Sequence, residues 1–232
     1  VGIADTVRWL IRRVSVSAMS GIAGTLLLGM GACAPSAGGQ PSSGPGGDWE
    51  ITVYYTAVER FHDGPPLTVR GCPQLDCVFG NDFLGTFPAG FVQVVREEGT
   101  GRITSGPRRG SVLNWSYDSG FWIDDVPVDT AGRALVPFRS AAADSATLPA
   151  GTTFRVEDCG REEDSSEIDP NACAALRRGT WEVRDEFTPG LGGRRHLDLY
   201  IGEEDIAGFT DRSPLYLTGL GARVAITGQA SR

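Results

Sequence analysis

The stretch "GGRRHLDLYIGEED", residues 192–205, decides how the rest of the chain is read. Its centre alternates with period two: Leu197, Leu199 and Ile201 share one face of a strand, and His196, Asp198 and Tyr200 the other. Asp is depleted in strands and is almost never fully buried without a partner. A carboxylate at the middle of a short apolar strand is therefore either a paired structural acid or part of a site. The strand itself is half-buried, with one face in a core.

Outward from this stretch the texture is one of short apolar segments separated by turns. "EITVYYTAV" (50–58) is rich in β-branched and aromatic residues, as strands are. "SVLNWSYDSGFWIDDVPVD" (111–129) reads as a hairpin turning near Asp118-Ser119-Gly120. "ALVPF", "TFRVED", "TWEVRD" and "PLYLTGLGARVAI" supply further strands, and "PAGFVQVVREEG" (88–99), ending in Gly, is the one helix the pattern predicts. Strands this short and closely spaced predict an all-β barrel or sandwich, with no room for a second domain of comparable size. The run "REEDSSEID" (161–169) reads as a solvated acidic loop. A formal net charge of -8 excludes nucleic acid as a partner, since phosphate binding needs a Lys/Arg stripe.

The front of the chain reads as an export signal. Arg8, Arg12 and Arg13 precede the uncharged run "VSVSAMSGIAGTLLLGMGA", which ends at Cys33. "LLLGMGAC" resembles a bacterial lipobox, which makes Cys33 the expected site of lipidation and of membrane anchoring. An uncleaved anchor and a simple secretory signal are the alternatives. Residues 34–48 form a Pro/Gly/Ser linker, and 49–228 the folded domain. Each of these readings puts the domain outside the cytoplasm, in the cell envelope.

Without Cys33, four cysteines remain: Cys72, Cys77, Cys159 and Cys173. An even number in an exported chain predicts disulfides. Three pairings are possible, and the local one, Cys72–Cys77 with Cys159–Cys173, is favoured because each pair sits within one loop. Neither spacing is C-x-x-C and no His lies nearby, so no metal site is expected there.

Three short stretches in the C-terminal half together resemble a known family. They are "ADSATLPAGTTFRVED", "WEVRDEFTPGLGG" and "RHLDLYIGEE", carrying Asp144, Asp185 and Asp198 in turn. In order and spacing they look like the signature of the three-aspartate domain, a six-stranded double-psi β-barrel related to membrane-bound lytic transglycosylase A and to stationary-phase survival proteins. "VYYTAV" is similar to the first barrel strand of such domains. The resemblance implies a barrel with short peripheral helices and loop insertions, and cleavage of the MurNAc–GlcNAc β-1,4 bond of peptidoglycan to a 1,6-anhydro product. It implies Asp198 as the catalytic acid/base, with Asp185 and Asp144 as supporting carboxylates, and no cofactor or metal.

The chemistry fits those residues: a carboxyl on a half-buried strand is desolvated, which raises its pKa and keeps a proton ready for a leaving oxygen. The sequence also departs from the family. "EFTPGLGGRRH" carries no matching Lys, only Arg194 and Arg195; Ser145 replaces a Pro; and an insertion bearing Cys159 and Cys173 separates the first motif from the second.

Each candidate has a plainer reading. Asp198 could be satisfied by His196 or backbone amides, Asp185 could cap the turn "DEFTPG", and Asp144 could fix the turn before Leu148-Pro149. Trp115, Tyr117, Phe121 and Trp122, with Tyr200 beside Asp198, are candidates for stacking on sugar rings; in a small barrel such aromatics are otherwise core. "ERFHDG" (59–64) reads as a set of solvated loop residues. The alternative to an enzyme is a non-catalytic peptidoglycan-binding or wall-loosening envelope lipoprotein, which keeps the barrel and needs no proton donor.

Overall fold

Residues 47–229 are described in the computed structural model; the export signal, Cys33 and most of the linker lie outside the described residues. The alternation in "WEITVYYTAV" becomes β1 (Trp49–Val58), the strand on which the barrel closes. Five others complete it: β7 (Ser140–Ala143), β8 (Thr153–Asp158), β9 (Trp181–Asp185), β10 (His196–Glu203) and β11 (Thr218–Gly228). They run in the order β10-β7-β9-β8-β11-β1, and β1 pairs back to β10, so no barrel edge is left open. The β1–β10 and β7–β9 pairs are parallel and the other four antiparallel. The closed, six-stranded, all-β barrel expected from the sequence is the fold.

Period two explains what fills it. Ile51, Val53, Leu197, Leu199, Phe154, Trp181 and Val183 point inward and are almost fully buried. Each such side chain contributes about 1.5–3 kcal/mol relative to exposure. The alternate residues of β1 and β10 (Glu50, Thr52 and Tyr54; His196, Asp198 and Tyr200) face outward and lie in register side by side.

A second apolar cluster forms at the C-terminal end of β1, where Thr56, Ala57 and Val58 pair with a strand outside the barrel. β4 (Thr100–Arg102), β5 (Val112–Ser116) and β6 (Gly120–Asp124) extend the sheet, and β2 (Pro66–Gly71) pairs with β3 (Asp82–Pro88) as a separate hairpin. The helix read from the sequence, α1 (Ala89–Glu98), buries Phe91, Val92 and Val95 against Leu84, Phe87, Leu113 and Ile123. It stops at Gly99, whose φ of 86° is the left-handed cap that a Gly accepts without a Cβ penalty.

The sequence pattern did not locate two of the short peripheral helices that the resemblance implies: α2 (Pro170–Arg178) and the single turn α3 (Phe209–Arg212). The last residue of the acidic run, Asp169, caps α2 by accepting from the Asn171 and Ala172 amides, and Pro170 occupies the first turn. That start signal is present in the sequence but was masked by the charge run in front of it. Disulfides Cys72–Cys77 and Cys159–Cys173 form, the second joining the end of β8 to α2. Among the described residues, no helix is long and apolar enough to cross a membrane.

"ERFHDG" is corrected by the structure. Glu59 is buried and accepts from the Thr104 and Ser105 amides, at 2.6 and 2.9 Å, and from both hydroxyls. His62 pairs with buried Glu204 at 2.5 Å, and Glu204 also accepts from the Val58 amide. Both acids hold the exit of β1, which local sequence could not reveal because their partners are about 45 and 140 residues away.

Candidate active site

Four neighbouring strands, β1-β10-β7-β9, present one outer face, and its centre is Asp198. Thr52 lies directly opposite Asp198 on β1, and Ala142 directly opposite on β7. The Thr52 hydroxyl donates to Asp198 Oδ1 at 2.8 Å. That uses its one proton, so Thr52 Oγ1 accepts from His196 Nε2, 2.9 Å away. Phe187 lies against the imidazole, ring centroids 4.5 Å apart. The "EFTPGLGG" run thus supplies an aromatic wall for His196.

Asp185 reaches the same face by a bulge. In β9, Trp181 and Val183 point into the barrel, and strict alternation puts Asp185 there too. The β7–β9 register slips by one residue, so that Ala141 pairs with Val183 but Ala142 with Asp185. Asp185 is thereby turned outward, on the far side of Ala142 from Asp198. Two strand spacings put the Cα atoms about 10 Å apart, across a residue with only a methyl side chain. Tyr54 Oη spans the gap from β1 and donates to Asp185 Oδ2 at 3.4 Å.

This setting raises both carboxyls. Burial pushes Asp198 up to about 7; the Thr52 hydrogen bond pulls against that, and the negative charge of Asp185 adds to it. Burial likewise lifts Asp185 to about 6, opposed first by the Glu186 amide, then reinforced by the charge of Asp129 and opposed by Tyr54 and Arg133. Glu98 is held up by burial and by the charge of Asp198; its carboxylate accepts from the Tyr55 amide, at the bulge where β1 and β10 lose register. The phenol of Tyr54 is raised by burial and by Asp185, so it remains a donor. An acid poised near neutrality beside a second, more acidic carboxyl can give a proton to a leaving oxygen and take one back.

Residues 125–139 form a strap across the neighbouring part of this face. Val128 packs on Trp122 and Cys72, and Leu135 on Tyr54 and Tyr200. Pro137 sits so close to Gly202 that a Cβ there would fall 3.2 Å from it. Buried Asp129 folds the strap's turn by accepting from the Ala131 and Arg133 amides, and pairs with the Arg133 guanidinium at 2.7 Å. Arg133 in turn donates to the carbonyl of Arg184, next to Asp185.

Of the three expected acids, Asp185 is near enough for its charge to raise Asp198, and Asp144 lies two residues beyond Ala142, the residue opposite Asp198. Asp144 ends β7 in a turn, its carboxylate accepting from the Ala146 amide and its carbonyl from Thr147 and Leu148. No hydrogen bond joins it to Asp198 or Asp185. Neither Trp122 nor Tyr200, 2% and 1% exposed, is open to a sugar ring beneath the strap, and Trp115 packs on the second cluster from the opposite face of the sheet. Tyr117, at 59%, is the exposed one of that group. Arg195 is turned away, donating to the Gly47 carbonyl at 2.8 Å. The cation near the carboxyls is Arg133, from a segment where no motif signals it. Thr52 and Tyr54 lie in "ITVYYT", a run that the sequence marked as a barrel strand but not as part of a site.

The fold defines the class: a six-stranded barrel of the MltA type. The structure of MltA from Escherichia coli with bound chitohexaose aligns with a TM-score of 0.50 at 13% identity, covering 80% of this chain and 72% of that one. A membrane-bound lytic murein transglycosylase from Agrobacterium tumefaciens aligns with a TM-score of 0.46 at 11% identity, covering 77% and 73%. The lytic transglycosylase LtgG of Burkholderia pseudomallei gives 0.42 at 13%, covering 78% and 73%. No protein-family model and no curated protein matches the sequence, so the likeness is one of fold.

Proposed function

We propose that this chain is an envelope enzyme of the lytic transglycosylase kind, cleaving the MurNAc–GlcNAc β-1,4 bond of peptidoglycan with Asp198 as its single acid/base. The observation that carries this reading is the Asp198 carboxyl itself. It is half-buried on an outer strand face, held at about 7 by burial and anchored on one oxygen by Thr52. With Oδ1 occupied by the Thr52 hydrogen bond, the proton sits on Oδ2. Asp198 gives it to the glycosidic oxygen as the C1–O4 bond breaks. The carboxylate then takes the proton of the 6-hydroxyl as that oxygen bonds to C1, closing the 1,6-anhydro ring and regenerating the acid without consuming water.

Asp185 supports the high proton affinity of Asp198 through its charge and stays on its own side of Ala142. The fold shared with the E. coli MltA–chitohexaose complex supports a β-1,4-linked amino-sugar polymer as the ligand class. Two disulfides support an oxidising compartment outside the cytoplasm. A lipid on Cys33 would tether the barrel to the membrane, and the mass of the mature N-terminus tests that.

Digestion of purified peptidoglycan is the direct test. Wild-type protein is expected to release 1,6-anhydro-muropeptides and Asp198→Asn none; no anhydro product from wild type, or equal product from the variant, overturns the reading. Arg195, committed to the Gly47 carbonyl where the family pattern has a Lys, favours a second reading, a barrel that binds wall glycan without cutting it. That reading expects co-sedimentation with peptidoglycan and no muropeptide release, whatever residue occupies position 198.

A further inference from the structure

A cavity of about 320 Å³ lies away from Asp198, lined by Arg60, Arg102, Ile103, Thr104, Arg109 and Gly110. Three arginines among the six lining residues run against the acidic balance of the chain as a whole. Arg102 forms the wall: it donates to Glu203 at 2.8 Å and to the carbonyls of Gly110 and Asp125, so its position is fixed and its charge largely answered. Thr104 is committed to Glu59. The other two cations are differently placed. Arg60 lies over the ring of Phe61 at 4.4 Å, and Arg109 stands on the tight turn closed by Arg109 N–H to Gly106 O and Gly110 N–H to Ile103 O. Neither has an acidic partner among the described residues, and both are exposed.

We propose that this cavity is an anion subsite that takes carboxylates of the peptidoglycan stem peptide, an assignment that rests on the peptidoglycan reading above. Unpaired guanidiniums recognise carboxylates through charge-assisted, often bidentate hydrogen bonds. The cavity is several times larger than a single carboxylate, which suits a peptide bearing more than one acid. Its distance from the chemistry also suits such a peptide. Glu203, which fixes Arg102, lies five residues along β10 from Asp198, about 16 Å at 3.3 Å per residue. An extended peptide of four or five residues spans about 13–18 Å. Leu135 and Pro137 cover β10 between the two, so a stem reaching the arginines from a glycan at Asp198 passes over the outer side of the strap. Chitin, built of uncharged sugars, has nothing to place there, so the subsite separates peptidoglycan from other β-1,4 amino-sugar polymers.

The test is a binding measurement on the folded protein that does not depend on turnover. A fluorescein-labelled stem tetrapeptide, L-Ala-γ-D-Glu-L-Lys-D-Ala, is titrated in its free-acid and its carboxamide forms. Wild type is expected to bind the acid form about tenfold more tightly, a preference that fades in 0.5 M salt. The double variant Arg60→Gln/Arg109→Gln is expected to lose that preference, and Arg60→Lys/Arg109→Lys to recover part of it. Equal binding of the two forms, or an undiminished preference in the Gln variant, overturns the proposal. So does competition by pyrophosphate or phosphatidylglycerol vesicles at the arginines with no binding of the peptide. Failure here with anhydro product still released sinks the subsite alone; peptide binding without anhydro product sinks the enzymatic reading alone.

Discussion

Thr52 and Asp198 face each other across two parallel strands, and the Thr52 hydroxyl donates to Asp198 Oδ1 at 2.8 Å. This bond favours the ionised carboxyl and opposes the burial that raises it. Thr52→Val keeps the β-branched shape and removes the donor. The carboxyl is then expected to titrate above its present value of about 7, moving the pH–rate profile for anhydro product toward higher pH. Carboxyl-detected NMR titration of both proteins checks the direction, and an unmoved titration would show that Thr52 does not hold Asp198. The lost hydrogen bond costs about 1 kcal/mol of stability.

The raised carboxyls also make stability depend on pH with an unusual sign. Asp198 and Asp185 bind protons more tightly folded than their ordinary value of 3.8 allows unfolded. Between about pH 4 and pH 7 the native state therefore carries more protons, and stability falls as pH rises. Each carboxyl contributes at most about 1.4 kcal/mol per pH unit across its window. Asp198→Asn removes one contributor, so it is expected to be more stable than wild type at pH 8 and to show a flatter Tm between pH 5 and pH 8. A wild-type Tm that climbs steadily over that range would contradict the burial of these groups.

Removing the neighbouring charge should act oppositely to removing Thr52. Asp185→Asn eliminates a negative charge that raises Asp198. The Asp198 carboxyl is expected to titrate lower, and the pH optimum for anhydro product to move down with reduced maximal rate. Arg133→Met, which takes away a cation that lowers Asp185, should push Asp185 upward. Two variants with shifts in the same direction at Asp185 and Asp198 would rule out this electrostatic arrangement.

The two disulfides should differ in weight. Cys159–Cys173 closes a separation of 14 residues and Cys72–Cys77 one of 5. On the chain-entropy model these are worth about 3 and about 2 kcal/mol respectively. Replacing Cys159 and Cys173 with Ser is expected to lower the denaturation midpoint more than replacing Cys72 and Cys77. The reverse order would point to strain or residual structure rather than loop entropy.

What the sequence made legible was whatever repeats at short range. Alternation in "HLDLYI" placed Asp198 on the face away from the core, the β-branched and aromatic content of "EITVYYTAV" marked β1, and Gly99 marked the end of α1. What stayed hidden depends on distant register. Asp185 belongs on the core face by its own alternation, and only the pairing with β7 turns it out. Trp122 looked like a sugar platform because nothing in its own hairpin announces that residues 125–139 fold back over it. Arg133 could not be singled out, since its link to Asp185 crosses about 50 residues of chain.

The bulge in β9 has a consequence for how such a protein diverges. The second carboxyl owes its place to one surplus residue, Arg184, so a one-residue slip that pairs Arg184 with Ala142 would restore regular alternation, swing Asp185 into the barrel and present Arg184 in its stead. No acid need be mutated for the pair to be dismantled. Descendants of this fold can thus gain or lose a chemical partner through a change of strand register, with every carboxylate still in the sequence to mislead a reader who only counts them.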